Sequence, residues 1–274
     1  KLFKTLRQET DLPIHFHTHD TSGISAATIL AAVDAGVDAV DAAMDAFSGG
    51  TSQPCLGSIV EALKGNRRDP ALDPDAIREI SLYWEQVRAQ YAAFESDVKA
   101  PASEVYLHEM PGGQFTNLKA QAASMGLDDR WPEVAKTYAD VNRMFGDIVK
   151  VTPTSKVVGD MAIYMVTNEL TPKEVLDPKR EIAFPESVVE LFHGDLGQPH
   201  GGFPEALQKK ILKGREPLTV RPGQVLEPID LAAARAEAEK KVHRHIDDRE
   251  LASYLMYPRV FTEYADHRRQ YADV

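Results

Sequence analysis

The chain has 274 residues, 43% hydrophobic and 27% charged, which is enough apolar material for one large core or two modest ones. This composition excludes a disordered chain and a small disulfide-stapled scaffold. Asp and Glu outnumber Lys and Arg by 42 to 31, and the net charge of -11 argues against non-specific nucleic-acid binding. Residues 1–10 have the pattern of the middle of an amphipathic helix, so we expect a piece of a longer polypeptide.

A short apolar run at residues 12–19 predicts a strand with a histidine at every second position. Because side chains alternate along a strand, His15, His17 and His19 are expected on one face. Turn residues follow, and Asp20 is placed to cap the next helix.

Strand and helix patterns alternate through the first third of the chain. After the first strand, the spacing predicts a helix, a strand and a helix at residues 24–35, 37–44 and 56–63. Consecutive units of this kind indicate a parallel sheet, which binds ligands at the C-terminal ends of its strands.

Helical patterns dominate the rest of the chain. The apolar spacing predicts helices at residues 74–95, 133–145, 159–168, 204–212 and 229–245. Gly, Asn, Arg, Asp and Pro cluster just before the first of these helices, so we expect one region at 1–68 and another at 69–274. No apolar run approaches the roughly 20 residues of a membrane span.

The strongest chemical signal is the His17-Thr-His19 pair. Two imidazoles on one strand face, about 6 to 7 Å apart along the chain, can share a divalent ion. The alternative is an ordinary pair of hydrogen-bonded histidines, but the position at the end of a predicted parallel strand favours a metal. No third ligand is evident, and the carboxylates available nearby are Asp20, Asp38, Asp41 and Asp45.

A second signal lies at residues 149–159, where Thr152, Thr154 and Ser155 precede a helix start. Backbone amides at such a start suit an anion, and Lys156 could hold a carboxylate or ureido oxygen. An ordinary helix cap with a solvated lysine is the alternative. The segment lacks the Gly-rich pattern of a nucleotide P-loop.

A third signal is the pair of glycines within residues 109–117. Adjacent glycines allow the backbone to approach another group closely, whereas a structural turn before a helix explains them equally well.

Several segments of the chain, taken together and in this order, carry a family pattern: residues 16–23, 48–54, 109–114, 119–122, 151–160, 203–205, 221–223 and 254–261. They resemble the carboxyltransferase domains of the pyruvate carboxylases, a family of biotin-dependent enzymes. Methylmalonyl-CoA carboxytransferase and the oxaloacetate decarboxylase α subunit share this architecture. Residues 20–22 and 50–54 are more similar to the pyruvate carboxylases.

The resemblance implies an α/β fold. Residues 1–68 would form the last βα units of a (β/α)8 TIM barrel, and residues 69–274 a mainly helical, funnel-like extension. The missing barrel strands are expected upstream of residue 1.

The resemblance also implies a divalent metal, zinc or manganese, held by two histidines, an aspartate and a carbamylated lysine. His17 and His19 match the histidines, and the other two ligands are expected upstream, as are the groups that hold pyruvate. Thr152 matches the residue that relays a proton during catalysis. Ser155 and Lys156 match positions that border the biotin pocket.

The implied reaction is carboxyl transfer from carboxybiotin to pyruvate, which gives oxaloacetate. The implied partners are a biotin carboxyl carrier domain and the other subunits of a homotetramer, while another domain uses ATP and Mg. The family and the single Cys55 fit the cytoplasm, or the mitochondrial matrix in a eukaryote.

Three alternatives stay open at this point. They are a decarboxylase or transcarboxylase subunit, a metal-dependent aldolase or lyase on the same barrel, and a non-catalytic scaffold segment. The chain alone is expected to be inactive.

Overall fold

The structure is a computed structural model that describes residues 1–95, 98 and 100–271. It is mostly helical and divides into two compact units, Lys1–Arg221 and Pro222–Val274. The sequence predicts another boundary, at 68/69, which would separate barrel strands from a helical extension. That boundary lies within the first compact unit and stays a prediction.

The first unit begins with a small parallel sheet. Strand β1 (His15–Phe16) pairs with β2 (Ala39–Val40), with His15 opposite Ala39 and Phe16 opposite Val40. A further parallel bridge joins Ala43 to Cys55. The predicted strands at 12–19 and 37–44 are therefore much too long. The backbone bonds between the two segments end where the Asp41 amide donates to the Phe16 carbonyl at 3.0 Å.

Three helices surround this sheet: α1 (Leu2–Glu9), α2 (Ser25–Asp34) and α3 (Leu56–Leu63). The Asp20 carboxylate accepts a hydrogen bond from the Ser25 amide at 3.0 Å, which confirms that Asp20 caps α2. α3 has the bounds that the sequence predicts. The helices bury a small apolar core that includes Ile29, Val33, Val37, Ile59 and Leu63.

Helix α4 (Pro74–Gln90) starts where its pattern begins, because Asp73 accepts from the amides of Asp75 and Ala76. It ends earlier than predicted. At Tyr91 the chain turns into a short 3-10 helix, Ala92–Phe94, since the Tyr91 amide bonds to Arg88 rather than continuing the helix.

The larger core of the first unit lies among helices that follow α4. They are α5 (Val105–His108), α6 (Gly112–Ser124), α7 (Trp131–Met144), α8 (Thr154–Thr167), α9 (Pro172–Leu176), α10 (Glu186–His193) and α11 (Glu205–Leu212). Tyr138, Phe145, Met161 and Phe192 are fully buried there. Burial of each large apolar side chain of this kind stabilises the folded state by about 1.5 to 3 kcal/mol.

Helix α8 starts five residues before the predicted Gly159. The glycine lies inside the helix, where the absence of a side chain leaves room for α6. A Cβ at Gly159 would lie 2.5 Å from Gln114 Nε2 and 2.8 Å from Leu118 Cδ1.

The second unit is a helical cluster of α12 (Leu231–Val242), α13 (Asp248–Met256) and α14 (Pro258–Tyr271). α12 starts after the predicted residue 229 because Asp230 caps it, accepting from the amides of Ala232 and Ala233. Its core includes Ala238, Val242, Ile246, Leu251 and Phe261. Across both units, no helix within the described ranges is long and apolar enough to cross a bilayer.

Replacing Gly159 by Ala in the full-length protein is expected to destabilise the fold by about 1 to 3 kcal/mol, because the added methyl overpacks the contact between α6 and α8. Gly113 provides the matched control, since a Cβ there meets nothing within 4 Å. Thermal unfolding midpoints measure both variants. Equal midpoints for Gly159→Ala and Gly113→Ala would contradict this packing.

Candidate active site

His17 and His19 lie immediately after β1, and their rings meet edge to face with centroids 5.1 Å apart. The Nδ1 atom of His17 lies 2.7 Å from an Asp41 carboxylate oxygen. The Nδ1 atom of His19 lies 2.6 Å from the backbone carbonyl of Thr51. Carboxylate and carbonyl oxygens only accept hydrogen bonds, so both histidines carry their proton on Nδ1.

The two Nε2 atoms face each other at 3.3 Å. With Nδ1 protonated in both rings, each Nε2 presents a lone pair, and a metal cation between them would remove the repulsion. Zinc binds imidazole nitrogen at about 2.0–2.1 Å, so two ligands of one tetrahedral zinc lie about 3.3–3.4 Å apart. The histidine pair therefore fits a shared metal ion. Within the described ranges, no group of three or more His, Cys, Asp and Glu residues forms a complete metal site.

Asp41 contacts His17 through one oxygen and His15 through the other. The second contact joins Asp41 Oδ1 to His15 Nε2 at 2.6 Å. Hydrogen bonds from His17 and then His15 hold the pKa of Asp41 below its ordinary value. The sequence marks Asp41 only as an available carboxylate. Its place follows from the strand register: His15 lies opposite Ala39 and Phe16 opposite Val40, so residue 41 is next in line for residue 17.

The other nearby carboxylates have structural partners instead. Asp20 caps α2, and Asp38 binds the Arg7 guanidinium and the Ile14 amide. Asp45 accepts from the Gly57 amide at 2.9 Å and so caps α3. None of these three faces the histidine pair.

A cavity of about 360 Å³ opens beside the two histidines. Met110, Pro111 and Gly112 at the start of α6 form part of its lining. A Cβ at Gly112 would lie 2.8 Å from three atoms of His19, so only glycine lets α6 begin against that ring. At Gly112 the close approach of the backbone is therefore to the His19 side chain, whereas a Cβ at Gly113 would meet nothing within 4 Å.

Thr152 is exposed, and the described part of the chain offers its hydroxyl no hydrogen-bond partner. Two residues earlier, the half-buried Lys150 ammonium donates to Glu109 Oε2 at 2.7 Å. In the amide orientation that satisfies both neighbours, Asn142 also accepts from Lys150 at 3.1 Å. Glu109 directly precedes the residues that line the histidine cavity. The Lys150–Glu109 pair thus ties the Thr152 segment to that cavity.

Ser155 and Lys156 occupy different environments in the first turn of α8. Ser155 is 3% exposed, and its carbonyl accepts from the Tyr138 hydroxyl at 3.3 Å. Lys156 lies at the surface and donates to Asp160 at 2.7 Å. Thr154 is engaged locally, because its hydroxyl bonds to Val151. A contact of Ser155 or Lys156 with biotin stays a prediction.

A family model described as a conserved carboxylase domain matches residues 105–274. The chain belongs to the conserved carboxylase domain family. A second model, described as HMGL-like, a TIM-barrel family, matches residues 1–83.

Curated relatives of this chain include pyruvate carboxylases from several organisms. The Bacillus subtilis enzyme is 51% identical over 274 residues, which are 100% of this chain and 24% of that protein. Pyruvate carboxylase 1 of Caenorhabditis elegans is 47% identical over 266 residues, 96% of this chain and 23% of that protein. The chain thus spans about a quarter of the length of these relatives.

Solved structures give the same result. The carboxyl transferase domain of Rhizobium etli pyruvate carboxylase, determined with pyruvate and biocytin, is 70% identical with a TM-score of 0.94 and covers 98% of this chain. This chain corresponds to 45% of that domain structure and to 26% of the complete multifunctional enzyme from the same organism. The resemblance drawn from the motifs is confirmed.

The Lys150–Glu109 pair predicts a pH-dependent contribution to stability. The hydrogen bond from Lys150 holds the pKa of Glu109 below its ordinary 4.5. A carboxylate whose pKa is lowered on folding stabilises the folded state at pH values above its unfolded-state pKa. This stabilisation is lost as the pH falls through the folded-state pKa. Glu109→Gln is therefore expected to lower the free energy of unfolding by about 0.5 to 1 kcal/mol at neutral pH and to leave it unchanged in strong acid. The effect is small because the pair is partly solvated.

Thermal unfolding of the full-length protein across a pH series measures the effect. The exposed Glu190 of α10 serves as the control through Glu190→Gln. A destabilisation by Glu109→Gln that persists unchanged in strong acid would contradict the role of the charge.

Proposed function

We propose that this chain is part of the carboxyltransferase domain of a pyruvate carboxylase, in which a carboxyl group passes from carboxybiotin to pyruvate to give oxaloacetate. The observation that carries the proposal is the 70% identity, over 98% of this chain, to a carboxyl transferase domain solved with pyruvate and biocytin. The decarboxylase, transcarboxylase, aldolase and scaffold alternatives are not favoured, since the curated relatives reported above are pyruvate carboxylases.

The proposal extends to the architecture. Residues 1–68 form the last βα units of a (β/α)8 barrel, and residues 69–274 a funnel-like helical extension. The parallel pairing of β1 with β2 and the HMGL-like match support the barrel. Barrel strands from the remainder of the polypeptide would contribute an aspartate, a carbamylated lysine and the groups that hold pyruvate.

The metal of this site would be zinc or manganese, with His17 and His19 as two of its ligands. The ion would supply a Lewis acid that stabilises the negative charge developing on the pyruvate oxygen. The 3.3 Å separation of the Nε2 atoms supports this assignment, as do the acceptors on both Nδ1 atoms.

Thr152 would move one proton during the transfer. As the carboxyl group passes from a biotin ureido nitrogen to the methyl carbon of pyruvate, one proton passes from that methyl group to the nitrogen. The Thr152 oxygen accepts the methyl proton and its hydroxyl proton goes to biotin, so threonine ends unchanged. A hydroxyl is a weak acid and base, so this relay needs both partners within hydrogen-bond distance. The exposure of Thr152 leaves its hydroxyl accessible to them.

Other parts of the proposal concern partners. Ser155 and Lys156 would border the path of biotin on its carrier domain, and the Lys156 ammonium at the surface can reach a ureido oxygen by leaving Asp160. Use of ATP and Mg by another domain, a homotetramer, and a cytoplasmic or mitochondrial-matrix location stay predictions from the family.

Replacing Thr152 by Ala in the full-length protein is expected to abolish oxaloacetate formation, because the proton relay is lost, while ATP-dependent carboxylation of biotin continues. Separate assays of the two half-reactions measure this. Thr152→Ser, which keeps the hydroxyl, is expected to retain activity. Normal oxaloacetate formation by Thr152→Ala would remove Thr152 from the mechanism.

The 274 residues produced alone are expected to retain little metal and to decarboxylate no oxaloacetate, because His17 and His19 provide only two ligands. Metal content by plasma mass spectrometry and an oxaloacetate decarboxylation assay test this, with the full-length protein as the positive control. One equivalent of metal together with turnover in the short chain would show a self-sufficient site.

A further inference from the structure

We propose that Asp41 is the positioning residue of the metal site, fixing the tautomer and ring orientation of His17, and that His15 holds the carboxylate in place. The inference rests on the proposed metal site and deepens it. It assigns roles to two residues outside the ligand set.

Each carboxylate oxygen of Asp41 is bonded to a different histidine. Oδ2 accepts from His17 Nδ1 at 2.7 Å, and Oδ1 is bonded to His15 Nε2 at 2.6 Å. A carboxylate held at both oxygens cannot rotate without breaking one bond. Its orientation is therefore set, and it places the His17 proton on Nδ1 and the lone pair on Nε2, toward His19.

The two proposed ligands, His17 and His19, differ in the contacts that fix the orientation of their rings. His19 is bonded to the Thr51 carbonyl and packed against Gly112. The His17 side chain is 55% exposed, and Asp41 is the acceptor for its Nδ1. Loss of Asp41 therefore frees the His17 ring while leaving His19 in place.

The same geometry explains why His15 is not a third ligand. The strand pattern places His15 on the face of His17 and His19, but its Nε2 is occupied by Asp41. Its side chain is 61% exposed, so it can be replaced without opening the core. A carboxylate behind a ligating imidazole also raises the basicity of the ligand, and losing such a partner typically costs 10- to 100-fold in metal affinity.

The experiment compares variants of the full-length protein: Asp41→Asn, Asp41→Ala, His15→Gln, His17→Ala and, as the matched control, Asp38→Asn. Asp38 lies on the same chain segment and also has a lowered pKa, but it binds Arg7 and the Ile14 amide rather than a histidine. The readouts are the metal dissociation constant by chelator competition, the visible spectrum of the Co²⁺-substituted protein, and the thermal midpoint of the metal-free protein.

We expect Asp41→Asn to weaken metal binding about 10-fold and Asp41→Ala nearer 100-fold, with an altered Co²⁺ spectrum and a metal-free midpoint lowered no more than by Asp38→Asn. His15→Gln is expected to produce a smaller loss in the same direction. Asp38→Asn should leave the dissociation constant and the spectrum unchanged, even where it lowers the thermal midpoint.

Three outcomes overturn the inference, and they separate its failure from that of the proposed metal site. If His17→Ala loses the metal but Asp41→Asn and Asp41→Ala bind it within twofold of the unmodified protein, Asp41 has no positioning role and the metal site stands. If the unmodified protein binds no metal through His17, the metal site and this inference both fall. If Asp38→Asn weakens binding as much as Asp41→Asn, the inference alone falls, because the loss is not specific to the carboxylate that contacts His17.

Discussion

The parallel register that sets His15 opposite Ala39 also sets His17 opposite Asp41, because the two chain segments continue side by side beyond their last backbone bonds. A one-residue slip would turn every side chain of one segment to the other face. The histidine pair would then lose its carboxylate and face the small apolar core instead. The geometry of the site is thus decided by the pairing of two very short strands.

Much of this arrangement follows from local sequence. The alternation of residues 15, 17 and 19 places their side chains together, Asp20 caps the next helix, and α3 has its predicted bounds. These features depend on residues a few positions apart, where spacing and capping rules apply.

The rest depends on contacts between distant residues, which no local pattern encodes. Asp41 meets His17 across 24 positions and Lys150 meets Glu109 across 41. Gly159 has the pattern of a helix start, yet it lies within α8, at the point where α6 comes too close for a side chain. The motif resemblance supplied the family and the residue roles, whereas only the structure supplied the partners that orient His17 and anchor the Thr152 segment.

Helix α6 connects these parts, since its first residue touches His19 and its later turns pack on α8. The ring of Phe115 on this helix stacks on His108, with centroids 5.2 Å apart, and meets Trp131 edge to face at 5.3 Å. Trp131 is one of only two tryptophans in the chain; the other, Trp84, belongs to α4. Within this chain, replacement of Trp84 would leave Trp131 on α7 as an intrinsic fluorophore whose emission reports on its contact with Phe115 of α6.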